Sequence, residues 1–138
     1  MIVILRANDE APGRARAALT RRLSTPQRVV PDVLDRLTLA VSELVTNAER
    51  ASRSMRFPFI IVYASWPADG GYVDLKVWDA SWKLPRDSDR QTMPQDDEIS
   101  DSELPEHGNG ILIIEAIASP VGWHRYLIGK TGVSRVAA

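Results

Sequence analysis

Glu43 and Asn47 stand four residues apart in the stretch DRLTLAVSELVTNAERAS, residues 35–52. On a helix that spacing projects both side chains from neighbouring turns of one side. A carboxylate there can accept a proton or orient a nucleophile. An amide oxygen is a hard, neutral ligand that suits magnesium. Both types are also common on solvated helix surfaces, so the pair needs support from elsewhere. Three later groups bear on it: Asp79-Ala-Ser81, Gly108-Asn109-Gly110 and Gly129-Lys130-Thr131. Glycines ahead of a helix let an anion approach exposed backbone amides, although a lone GxG fits a hinge equally well. Lys130 reads first as a solvated turn lysine, and it is the nearest candidate cation for a phosphate site.

The elements that must position these groups follow from periodicity. Leu34, Leu37, Val41, Leu44 and Ala48 recur at steps of three and four, so residues 35–52 form an amphipathic helix opened by Pro31-Asp32. Residues 2–5 read as a strand. Glu10 to about Leu23 reads as a first helix, with Asp9 as its cap and Arg14, Arg16, Arg21 and Arg22 on a solvated face. Residues 59–66 form an apolar β-branched run. After the turn signal at 67–71, Tyr72 to Asp79 alternates, with Val73, Leu75 and Val77 facing one way. The two runs predict an antiparallel hairpin with Asp79 at a strand end, and Tyr63 and Trp66 as one layer of the sheet core. Residues 111–118 read as a buried helix, and two short strands, about 122–128 and 131–136, close the chain around Gly129-Lys130.

Between Arg86 and His107 eight acids (Asp87, Asp89, Asp96, Asp97, Glu98, Asp101, Glu103 and Glu106) face only Arg86 and Arg90. A polar loop of this length predicts a lid or binding loop, and its charge density predicts mobility. The remaining composition is ordinary. The chain has 138 residues, 44% hydrophobic and 25% charged, with a formal net charge of −1. One domain with a single core is expected. Bulk charge gives no argument for direct nucleic-acid or membrane binding. The absence of cysteine excludes disulfides, thiolate metal sites and a thiol nucleophile, and suits a cytoplasmic protein. No apolar run reaches the roughly 20 residues of a membrane helix.

The order of these groups resembles the GHKL (histidine-kinase-like) ATPase superfamily. The likeness is closest to its stand-alone bacterial branch of anti-sigma-factor serine/threonine kinases. LAVSELVTNA (39–48) resembles that branch's N box. The resemblance runs from the first helix to Thr131. It implies an α/β fold of α+β two-layer sandwich type: a Bergerat-type mixed, largely antiparallel sheet covered on one face by helices. It implies ATP and Mg2+ as cofactors, with Glu43 as general base and Asn47 as magnesium ligand. Asp79 would accept from the adenine amino group, with Ser81 beside it. Gly108, Asn109 and Gly110 would border the phosphates beneath a lid at about 83–107, and Thr131 would lie near the adenine pocket.

Ser81 departs from the glycine common in the wider family, although serine is frequent there in the stand-alone branch; departures from the branch itself are Asn109 where arginine is common and Ala51 where histidine is common. Fewer cations beside the phosphates would weaken stabilisation of a transferring group. The implied function is a kinase that phosphorylates an antagonist protein, sequesters a sigma factor, or both. The alternative is a nucleotide-dependent binding switch with little or no turnover. A homodimer is allowed for, since some relatives dimerise.

Overall fold

The computed structural model describes residues 1–23, 30–66, 71–81, 117–118, 121–125 (backbone) and 129–137. Its elements run β1 (Ile2–Arg6), α1 (Ala11–Leu23), α2 (Pro31–Ser52), β2 (Phe59–Ser65), β3 (Tyr72–Asp79), β4 (Val121–Arg125) and β5 (Lys130–Ala137). The five strands lie in the order β1-β2-β3-β5-β4. All four pairings are antiparallel, so the sheet has no parallel component among the described residues. The expected helix at 111–118 and the lid at 83–107 lie outside the described residues, apart from Ile117 and Ala118.

Helix α2 forms because Pro31 pre-sets the first turn and Asp32 sits where the helix dipole favours an anion. Asp32 also pairs with Arg36 one turn on, at 3.1 Å. Its buried stripe is wider than the heptad-like reading, comprising Val33, Leu37, Ala40, Val41, Leu44, Val45 and Ala48. Leu34 packs against that core while only partly buried. The stripe lies on β2, β3 and β5, and α1 packs on α2 and β1. Helix α1 contributes Ala11, Ala15, Leu19 and Leu23, four-residue steps whose small first members let the two helices approach closely.

The sheet meets this layer with alternate residues: Leu5, then Ile60, Val62 and Ala64, then Val73, Leu75 and Val77, then Val136. Full burial of each large aliphatic side chain contributes about 1.5–3 kcal/mol. The opposite face carries exposed residues on its β1 side. Ile2 and Ile4 on the edge strand are 68% and 67% exposed. Tyr63 lies on this outer face under the Lys76 ammonium, which corrects the expectation of a core position. Trp66 is half-buried against the core, as expected, with the Arg22 guanidinium 5.4 Å from its ring centre.

Asp9 does not cap α1 through its side chain. Its carboxylate accepts from Arg53 Nη2, while Arg53 Nε donates to the buried Glu49. This three-residue chain ties the end of α2 to the β1–α1 connection. It also holds the Arg53 guanidinium above its ordinary pKa, chiefly through the hydrogen bond to Glu49.

Candidate functional site

The site begins where β3 stops. Asp79 is 1% exposed, and polar groups from three elements converge on its carboxylate. Ser81 donates its backbone N–H to Oδ1 at 2.8 Å, a short-range bond that turns the chain as it leaves the strand. Ser52, the last residue of α2, donates its hydroxyl to the same oxygen at 3.3 Å. Lys130 Nζ reaches both oxygens, at 2.9 and 2.8 Å. Burial pushes the Asp79 carboxyl above its ordinary pKa. The Lys130 ammonium, the Ser81 amide and the Ser52 hydroxyl pull it back.

Lys130 is therefore no solvated turn residue. It is 3% exposed and the first residue of β5, paired across the sheet with Asp79. The turn ends one residue earlier, at Gly129, whose φ is +81°. A Cβ at Gly129 would stand 2.1 Å from the Asp79 carbonyl oxygen. Only glycine permits that approach and that backbone conformation. The close crossing roots Lys130 directly beside the end of β3. It also excludes the alternative role for Lys130 as a free cation beside phosphates, because the ammonium is already engaged.

Thr131 is buried, but it pairs with Trp78 rather than Asp79. Strand alternation sends its side chain to the other face of the sheet. The residue that shares the face of Asp79 is Lys130. Sequence reading missed this partnership. The signal lay in the inward positions Lys130, Gly132, Ser134 and Val136, whose step of two includes the lysine.

Glu43 and Asn47 both lie on α2, half-buried on the flank that borders the apolar stripe. At about 1.5 Å per residue they stand about 13.5 and 7.5 Å back along the axis from Ser52. Glu43 has no hydrogen-bond or ion-pair partner among the described residues. Asn47 carries a buried amide nitrogen, Nδ2, with no partner. Which end of an amide is nitrogen is an assignment, so the firm observation is a carboxamide with one buried end unsatisfied. Such a group fits a role toward a metal-bound water or a metal ion. Among the described residues no cluster of three or more acidic or histidine side chains could hold a metal alone. A magnesium ion at Asn47 would draw its other ligands from phosphate oxygens and water, as that ion commonly does. Gly108, Asn109 and Gly110 lie outside the described residues. No described helix is long and apolar enough to cross a membrane.

Comparisons with known proteins bear on the fold and the family. A crystal structure of the RsbU and RsbW domains of Rv1364c from Mycobacterium tuberculosis superposes with a TM-score of 0.64 at 17% identity. The match covers 100% of this chain and 33% of that one, so the chain spans about a third of that protein's length. At this identity the likeness shows the fold, an α+β sandwich of antiparallel sheet and helices. The search of curated proteins finds no match. A family model described as the histidine kinase-like ATPase domain matches residues 5–133, from the end of β1 into β5. The chain belongs to the histidine kinase-like ATPase domain family.

Proposed function

We propose that the chain is an ATP-binding regulatory protein kinase of the anti-sigma-factor type. It would use magnesium, phosphorylate a serine or threonine of an antagonist protein, and hold a sigma factor as the competing partner, in the cytoplasm. The observation that carries the reading is the placement of residues 39–48 on α2. That helix ends in contact with Asp79 and presents a Glu43 and an Asn47 amide nitrogen that have no partner among the described residues, two to three turns and one to two turns away. The base end and the phosphate end of a nucleotide are then served from one rigid element.

In this reading Asn47 holds magnesium and Glu43 polarises the attacking hydroxyl. Gly108, Asn109 and Gly110 border the phosphates, and Asp79 and Ser81 stand around the base, while Thr131, on the other face of β5, takes no part in it. Phosphoryl transfer needs chiefly positioning, charge neutralisation and a base near the acceptor oxygen. The neighbour named for an RsbW domain supports a regulatory partner of this kind. The exposed Ile2 and Ile4, on a strand with a free edge, supply an apolar surface for a partner or a second copy.

The test is transfer of phosphate from magnesium-ATP to a purified antagonist protein, followed by phosphoserine and phosphothreonine analysis. Glu43→Ala should lower the rate by about 10²–10⁴ while sparing ATP affinity. Full activity in Glu43→Ala would remove the assigned base. A second reading is a binding switch without turnover, favoured by one observation: the carboxylate at the base end is already engaged by Lys130. Tight partner binding with no phosphate transferred would select it.

A further inference from the structure

The contacts around Asp79 leave little for a ligand to use. An ionised carboxylate offers about four acceptor positions. Lys130 takes one on each oxygen, and Ser81 and Ser52 both add to Oδ1. The two lysine distances differ by only 0.1 Å, so Nζ lies close to the bisector of the carboxylate. That is the head-on approach by which an amino group of a base would reach Asp79. An ammonium makes a charge-assisted bond there, stronger than the bond of a neutral amine. Both side chains are nearly fully buried, at 4% and 2% exposure, so water does little to weaken the contact. The close approach of Gly129 to the Asp79 carbonyl fixes the backbone from which the Lys130 side chain starts.

We propose that Lys130 is an internal occupant of the base-reading position and a specificity-determining residue of the pocket. Its ammonium stands where a ligand's amino donor would bind, and the chain takes its nucleotide without reading the 6-amino group of adenine. The inference rests on the reading that this cleft takes a nucleotide.

The test compares magnesium complexes of ATP and of purine riboside triphosphate, which lacks the 6-amino group. Affinities are measured by titration calorimetry with the full chain. Wild type should bind the two within about two-fold of one another, since Lys130 already engages both carboxylate oxygens. Lys130→Met frees the carboxylate and should prefer ATP by about ten- to hundred-fold, the worth of a hydrogen bond to a charged group. Lys130→Leu, neutral and without a hydrogen-bond donor, is the second variant should Lys130→Met not fold, and it should also prefer ATP.

Two results would overturn it while leaving nucleotide binding intact. One is a wild type that already prefers ATP by ten-fold or more. The other is a lysine variant that gains no preference. If neither triphosphate binds wild type or either variant, the nucleotide reading itself fails and takes this inference with it.

Discussion

Neutralising one member of the Asp79–Lys130 pair strands the other as an uncompensated buried charge. Asp79→Asn keeps an acceptor for the Ser81 amide and the Ser52 hydroxyl, so its effect isolates the lost negative charge. Lys130→Met keeps most of the side-chain volume and removes the positive one. Breaking a buried pair from one side costs about 3–5 kcal/mol. A chain of 138 residues has an unfolding entropy of about 0.3 kcal/mol/K, so each single variant should melt about 10–17 °C below wild type. The double variant carries no buried charge and should return to within about 1 kcal/mol of wild type, since neutral replacement of such pairs is often without cost. Thermal unfolding followed by circular dichroism, with urea titration at pH 7, measures all four corners of the cycle. Coupling of about 2 kcal/mol or more is expected between contacting residues of this kind. Single losses below about 1 kcal/mol that simply add in the double variant are the behaviour of an exposed ion pair. That result would refute the burial on which the base-pocket argument stands.

The pair also sets a pH dependence. Burial raises the folded pKa of Asp79, so the native state holds that proton more tightly than the unfolded chain, whose value is 3.8. Stability from this group therefore falls as pH rises from about 4 through the folded value. Unfolding of Lys130→Met between pH 4 and 7 should show a steeper fall than wild type, because the opposing ammonium is gone. Gly129→Ala would drive a methyl group to 2.1 Å from the Asp79 carbonyl at a positive φ, and should cost more than the roughly 1–2 kcal/mol of the backbone conformation alone, read by urea denaturation. Ser134 buries a hydroxyl with no hydrogen-bond partner on the inner face of β5, so Ser134→Ala should raise stability by about 1 kcal/mol, read in the same titration. Leu44→Ala should cost about 2–5 kcal/mol, because the helix stripe and the sheet close over that position.

Elements with a regular repeat were legible from sequence. The α2 stripe and the alternation of β3 announce a helix and a strand, and the hairpin of β2 with β3 follows from the turn between them. Asp79 could be placed at a strand end because the alternation stops there. Lys130 could not be placed, because its partner is 51 residues away and nothing local marks it. Reading Gly129-Lys130 as a two-residue turn put the ammonium in water. Lys130 is instead the first residue of β5, and that one-residue difference in where the strand begins decides which face of β5 each side chain takes. The same shift moves Thr131 to the face of Trp78. The Asp9–Arg53–Glu49 chain was hidden for a similar reason, since Asp9 looked like a local cap and its partner lies 44 residues on. Ile2 and Ile4 announced a strand but not an edge strand, because strand order is a property of the assembled sheet.

What makes the site one unit is the rigidity of α2. Its last residue touches Asp79, and Asn47 and Glu43 follow at fixed rises along the same axis. Under the proposed function, the separation between the base end and the phosphate end is thus a helix length rather than a loop conformation. The Glu49–Arg53–Asp9 contacts pin the terminus of that helix to the connection between β1 and α1, on the edge side of the molecule where Ile2 and Ile4 lie exposed. A partner that covers the β1 edge and moves that connection would act on Arg53, through it on the end of α2, and so on the Ser52–Asp79 contact. Were such a partner to alter nucleotide occupancy at Asp79, the reciprocity of linkage would require the nucleotide to alter partner binding by the same free energy.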